Sequence, residues 1–267
     1  MSFAFADRAR LSALEHENLI AAFAGIAART PGGIAQRQDG VAALLTGMGV
    51  RLFNQILVED KTATEAALAA AVELARSRSV PWVVNLRVGD DDRAAAMAAR
   101  LGLVCATSDA WMPALALADA RGAAKSAPPV PSGLEIVRAT HAAVVADHAR
   151  VAAEGFGIPE DLMRLVLGAE AWLQPDVAIY TGYLDSAPVV AGVGIRSGPT
   201  IGVYNIATVE ASRRRGSGEA ITRRVIAGGV AAGATVAILQ SSAMGRAVYE
   251  RIGFRLVVEY SGWVEPG

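Results

Sequence analysis

Residues 204–218 read Tyr204-Asn205-Ile206-Ala207-Thr208-Val209-Glu210-Ala211-Ser212-Arg213-Arg214-Arg215-Gly216-Ser217-Gly218. An apolar strand runs into a basic loop with two glycines, and helical composition follows over 217–231. The first N–H groups of a helix have no intrachain partner, and the helix dipole favours an anion there. Gly216 and Gly218 remove the β-carbons that would keep N–H groups from converging on an oxygen-rich ligand, and glycine permits positive φ where the chain turns. Ser217 adds a hydroxyl; Arg213, Arg214 and Arg215 add charge that can meet phosphate from outside the loop. In isolation, Arg-x-x-Gly-x-Gly is equally the composition of a solvated basic turn before a surface helix.

Working outward, the strand Thr235-Val236-Ala237-Ile238-Leu239-Gln240 and a helical stretch through Tyr249-Glu250-Arg251-Ile252-Gly253-Phe254 complete a β-loop-α-β-α unit. Its glycine loop lies at the carboxyl end of the first strand, where open α/β folds take ligands. In this order the residues resemble the Gcn5-related N-acetyltransferases, the GNAT superfamily. The signature Q/R-x-x-G-x-G/A falls on Arg213, Gly216 and Gly218, and a later Tyr-x-x-x-Gly-Phe falls on Tyr249, Gly253 and Phe254. The run Leu239-Gln240-Ser241-Ser242-Ala243-Met244-Gly245 before Val248-Tyr249 also looks like a subgroup of bacterial members.

The resemblance implies acetyl-CoA as co-substrate and assigns roles to the matched positions. Backbone amides of Arg214, Arg215, Gly216, Ser217, Gly218 and Glu219 would hold the pyrophosphate beside Arg213. The Ala207, Thr208 and Val209 backbone would pair with the pantetheine arm like an added strand. Tyr249 would lie near the acetyl sulfur as general acid for the leaving thiolate; read by residue type alone, it is a half-buried aromatic on an amphipathic helix. Ser242 stands where many members carry Asn, and is a candidate cofactor contact.

Direct attack on a thioester needs a neutral amine, so a group must accept a proton from the ammonium form. Some family members use a glutamate on the strand before the loop. That place here is about Gly202, which has no carboxylate. Strand alternation puts Gly202, Tyr204, Ile206 and Thr208 on one face, making Tyr204 a candidate relay through water. Glu210 has the opposite parity and reads as a loop carboxylate. Glu154, in Ala153-Glu154-Gly155-Phe156, lies where such folds build the acceptor wall and is a candidate base.

The 267 residues can bury one large core or two small ones. A net charge of −1 with 6% aromatics excludes a global field for nucleic acid or membrane. No stretch approaches the roughly 18 uninterrupted apolar residues of a membrane span, and 1–8 lacks the pattern of a signal peptide, so a cytoplasmic location is expected. Cys105 reads as a buried small hydrophobe, and His16, His141 and His148 make no zinc pattern; His141 and His148, seven apart and so roughly on one helix face, read as surface or boundary histidines. No metal is expected. A P-loop hydrolase is disfavoured, because there is no G-x-x-x-x-G-K-[ST] and no lysine in the loop.

Residues 121–133, with Pro128, Pro129 and Pro131, have linker composition. From 134 the expected order is a strand at 134–140, helices at 141–153 and 159–169, strands at 177–184, 188–196 and 200–209, then the unit above. That is the GNAT order over 134–267. The first half repeats it: Asn205 and Asn54, Val209 and Val58, Glu210 and Glu59, Arg251 and Arg100, Gly253 and Gly102 are each 151 residues apart. Opposite the basic glycine loop stands Thr62-Ala63-Thr64-Glu65-Ala66-Ala67, without glycine, and Ala98 takes the place of Tyr249. Arg51 and Asp90-Asp91-Asp92-Arg93 read as solvated turn and N-cap positions.

The expectation is therefore an α/β (α+β) chain of two tandem GNAT-like mixed-sheet domains. Residues 1–120 would form a degenerate copy without cofactor loop, 121–133 a linker and 134–267 a complete copy. The expected activity is acetyl transfer from acetyl-CoA to a primary amine of a small molecule or peptide; an acetyl-CoA sensor without transfer is the alternative. Trp172, Trp263 and the Tyr260-Ser261-Gly262-Trp263 segment are candidate acceptor walls. The chain would act as a monomer or homodimer, with neither nucleic acid nor membrane as partner.

Overall fold

Helix-forming and strand-forming stretches alternate along the whole chain. The computed structural model describes residues 5–106, 112–126, 130–167 and 172–267. In chain order the elements are α1 (Phe5–Arg29), β1 (Ile34–Gln38), β2 (Val41–Leu45), β3 (Asn54–Val58), α2 (Glu65–Ser77), β4 (Val83–Arg87), α3 (Asp92–Arg100), β5 (Val104–Ala106), β6 (Met112–Leu117) and α4 (Ala120–Lys125). There follow β7 (Leu134–Arg138), α5 (Ala142–Phe156), α6 (Glu160–Leu167), β8 (Val177–Leu184), β9 (Ala187–Ser197), β10 (Thr200–Thr208), α7 (Ser217–Ala231), β11 (Val236–Gln240), α8 (Arg246–Ile252) and β12 (Arg255–Val264). The architecture is mixed α/β. The elements expected from 134 onward are present; positions 168 and 169 of the second expected helix lie outside the described residues.

The chain divides into two compact units, and neither is a contiguous half. One comprises Met1–Asn18 and Leu115–Arg255; the other comprises Leu19–Ala114 and Leu256–Gly267. The expected cuts at 120 and 134 therefore do not coincide with the units. The physical reason is strand pairing: Tyr260, Ser261, Gly262 and Trp263 of β12 pair antiparallel with Arg87, Leu86, Asn85 and Val84 of β4. The last strand of the sequence is thus built into the unit that holds the first half. Residues 121–133 are also not wholly extended linker. Asp119 accepts from the Gly122 N–H at 2.8 Å and caps α4, a turn of helix upstream of Pro128 and Pro129, which lie outside the described residues.

In the unit containing 115–255, antiparallel ladders join β7, β8, β9 and β10, and β11 joins β10 in parallel. Helix α7 covers one face: a Cβ at Gly229 would fall 2.5 Å from Ile201 Cβ. Helix α5 covers the other: a Cβ at Gly155 would fall 2.7 Å from Ala207 Cβ. In the unit containing 19–114, β1, β2 and β3 are antiparallel, β4 joins β3 in parallel, and α2 and α3 cover an apolar cluster that includes Val41, Leu45, Ile56, Leu68, Val72 and Leu86. Asp91, expected to be solvated, is buried because its carboxylate accepts from the Arg87 N–H, Nε and a terminal guanidinium nitrogen. Cys105, expected to be buried, is exposed, since β5 is a three-residue strand paired with β12.

Candidate functional site

Strand β10 is nine residues long, but only Thr200, Ile201 and Gly202 have parallel partners on β11, namely Val236, Ala237 and Ile238. Beyond that point the strands separate, leaving the β10 backbone from Val203 to Thr208 unpaired on the β11 side. A β-bulge is the cause: the β10–β9 register shifts between Tyr204 and Ala207, with Asn205 at φ 54°. A bulge adds a residue to one strand, bends it and re-aims its side chains.

The bulge also overturns the face expected from simple alternation. Gly202 and Tyr204 point toward α1, but the added residue turns Ile206 toward Ile221 and Val225 of α7, and Ala207 toward α5. Asn205 is held in the bulge by His148. Its Nδ2 donates to His148 Nε2 at 2.8 Å, while His148 Nδ1–H donates to the Tyr180 carbonyl at 3.1 Å. His148 is thus fully buried rather than on a surface, and burial depresses its pKa from 6.5 to about 4, keeping the ring neutral. Burial followed from α5 packing on the sheet, which a lone histidine in sequence does not disclose.

After β10 the chain turns through 210–212 into the basic loop. Arg213 Nε donates to the Thr208 carbonyl at 3.1 Å, tying loop to strand end. Arg214 has φ 61° and Gly216 has φ 83°, left-handed positions on either side of Arg215, an alternation that turns N–H groups to one side. Gly216 occupies the N-cap place of α7 and supplies no capping side chain. Among the described residues, no protein group accepts from the N–H groups of 214–219. A Cβ at Gly218 would meet nothing nearer than Thr208 Oγ1 at 3.5 Å, so that space is open to a ligand. The one carboxylate on the first turn, Glu219, is engaged by Arg223 at 3.0 Å and Arg251 at 3.6 Å. Ser242 Oγ accepts from the Gly245 N–H and closes the turn into α8.

The matching place in the other unit is closed. Strand β3 pairs with β4 up to Leu57 and Asn85, one residue short of its end at Val58, and pairs with β2 without a register shift. Thr64 caps α2, its Oγ1 accepting from the Ala67 N–H at 3.1 Å, and Asp60 accepts from the Thr62 N–H at 2.7 Å. Of the amides matching those that α7 leaves free, Ala67 is thus capped by the Thr64 side chain, and Ala63 and Thr64 donate to the Asp60 and Asp39 carbonyls.

No family profile and no curated protein matches this sequence. Solved structures do match it. A GCN5-related N-acetyltransferase from Kribbella flavida aligns over 95% of this chain and 96% of its own, with TM-score 0.70 at 16% identity. The chain has the GNAT fold. A tandem GNAT protein from the clavulanic acid biosynthesis pathway aligns over 93% of this chain and 94% of its own, with TM-score 0.56 at 13% identity. A GNAT-family protein from Novosphingobium aromaticivorans aligns over 90% of this chain and 97% of its own, with TM-score 0.53 at 18% identity.

Within this GNAT fold, Tyr249 lies on α8, its ring edge-on to Phe254 at 6.1 Å between centroids. Burial raises its pKa to about 12, so the phenol stays protonated at neutral pH, and its hydroxyl has no hydrogen-bond partner among the described residues. Tyr204 is committed differently. Its hydroxyl donates to Asn18 Oδ1 at 2.8 Å, and Asn18 Nδ2 donates to the Ile195 carbonyl at 3.1 Å; that chain ends on a backbone carbonyl. Glu154 is exposed near the end of α5, and Glu210 is exposed in the turn after β10. Trp172 is buried, while Tyr260 and Trp263 belong to β12 and count with the other unit.

Sequence reading passed over α1. Ser12, Glu15, His16 and Asn18 are all buried there, and Glu15 accepts from Gln240 Nε2 at the end of β11. The available signal was a set of polar residues at helical spacing among apolar ones, Leu11 and Leu19 included. Gly202, the place of the missing strand carboxylate, has no room for a side chain. A Cβ there would fall 2.1 Å from Asn18 Oδ1 and 2.3 Å from Tyr204 Cε2. Among the described residues no helix is long and apolar enough to cross a membrane.

Proposed function

We propose that the chain is an acetyl-CoA-dependent N-acetyltransferase that acts on a primary amine of a small molecule or peptide. The observation that carries this reading is the open fork between β10 and β11 ending at uncapped α7 N–H groups. A helix N-terminus with free amides suits a pyrophosphate, and an unpaired strand edge suits an amide-bearing arm laid beside it. Arg214, Gly216, Ser217 and Gly218 would hold the phosphates, Ala207, Thr208 and Val209 the arm, and Ser242 would flank it. The protonated Tyr249 phenol would donate to the departing thiolate sulfur. The closed fork and the Thr64 cap support the view that 1–120 contributes no second cofactor site.

A sensor that binds acetyl-CoA without transfer remains the second reading, favoured by the lack of room for a carboxylate at Gly202. Calorimetry with acetyl-CoA and thiol release with an amine panel separate the two. Transfer predicts amine-dependent thiol release that Tyr249→Phe lowers by about 100-fold with acetyl-CoA binding retained. Binding with no amine acceleration would leave only the sensor.

A further inference from the structure

Two side chains flank the fork on one face: Tyr204 from β10 and Gln240 from β11, the latter two residues past Ile238, the last partner of β10. Both are held by a single turn of α1, Tyr204 by Asn18 and Gln240 by Glu15. Helix residues three apart lie on one face, so Asn18 latches one strand of the fork and Glu15 the other. All four residues lie in the unit made of Met1–Asn18 and Leu115–Arg255. Asn18 and the Tyr204 ring fill the volume a strand carboxylate at Gly202 would need, and the carboxylate one turn away on the same helix lies over the same face. Its charge is felt at Tyr204, whose pKa is raised by burial and then by Glu15.

We propose that Glu15 is the general base, delivered to the acceptor side of the fork by α1 in place of a strand carboxylate, and that the acceptor is an amine that arrives as its ammonium ion. This rests on the acyltransferase reading above. Gln240 Nε2–H occupies a place on the Glu15 carboxylate that an ammonium N–H can take over, donor for donor. The carboxylate removes one proton from R–NH3+, and the neutral nitrogen attacks the thioester carbonyl. As the C–N bond forms and the C–S bond breaks, the sulfur takes the Tyr249 proton, and the nitrogen's surplus proton replaces it. Glu15, fully buried while Gln240 covers it, gives its proton to water that enters the fork as the amide leaves. The sum is one amide, one free thiol and one proton released.

Glu15→Gln tests this, because it keeps an oxygen for Gln240 while removing the base. The probes are spermidine and a lysine peptide, which are ammonium ions at neutral pH, and hydroxylamine, which is largely neutral there; uncatalysed hydroxylaminolysis is subtracted. The expected result is a loss of about 100-fold or more in kcat with the ammonium probes, near-parental kcat with hydroxylamine, and unchanged acetyl-CoA affinity by calorimetry. An equal loss with both probe types marks a merely structural Glu15 and overturns the assignment, as does no loss with either. If the parent enzyme accelerates thiol release with no probe, the acyltransferase reading falls and takes this one with it. An active parent with an indifferent variant sinks the base alone.

Discussion

The clearest quantitative consequence of the site concerns His148. It is fully buried, between the Tyr180 carbonyl and the Asn205 carboxamide, both uncharged. Burial lowers its folded-state pKa from 6.5 to about 4, so the unfolded chain binds the proton more tightly. The neutral ring's contribution to stability is therefore complete above pH 6.5 and is lost as the pH falls through about 4. Across that window the loss is roughly 3 kcal/mol. Protonation also sets a ring N–H against the Asn205 amide N–H, two donors face to face, at the bulge that opens the fork. Denaturant unfolding of the parent and of His148→Gln, followed from neutral pH downward, reads this directly. The variant is less stable at neutral pH but has a flatter acid limb, the two curves converging by roughly that amount. Parallel curves would refute the argument. So would an imidazole resonance of the parent titrating near 6.5, a measurement that stands even if the variant does not fold.

Other expectations follow from the two loops and the units. Gly216→Ala places a β-carbon at φ 83°; it should cost roughly 1 kcal/mol in thermal unfolding and weaken acetyl-CoA binding by calorimetry, and unchanged affinity would remove the loop from the site. Thr64→Ala removes the α2 cap and should cost about 1 kcal/mol without altering acetyl-CoA binding. A fragment of 134–267 should give no cooperative melt as a monomer, because it lacks Met1–Asn18 of its own unit and carries Leu256–Gly267 of the other. A sharp melt from that fragment would show that the exchange of strand and helix segments is dispensable.

Much of the candidate site was legible because its signals are local. Gly216 and Gly218 with three arginines mark a turn into a helix that suits an anion, and apolar alternation with helical periodicity gave α7 and β11 nearly to the residue. The face assignment along β10 failed at Asn205, since a bulge is fixed by how a strand bends against its neighbours and leaves no reliable trace in alternation. His148 and Glu15 were illegible as buried groups for a related reason: whether a polar side chain on a helix meets water or a sheet depends on which face docks. Glu15 and Asn18 reach Gln240 and Tyr204 across more than 180 residues of sequence, a separation that no spacing rule spans.

By itself the sequence determined the α/β character, the repeat with its one glycine loop, and the strand-loop-helix on which the proposed cofactor site rests. These depend on periodicity and on where a β-carbon is missing, both written in neighbouring residues. Tertiary structure alone decided that β12 is paired into the unit of the first half, that the bulge parts β10 from β11, and that α1 brings a carboxylate to the face where Gly202 has none. Such outcomes depend on which distant hydrogen-bonding edges and apolar faces satisfy one another, and that is settled only when the chain has packed.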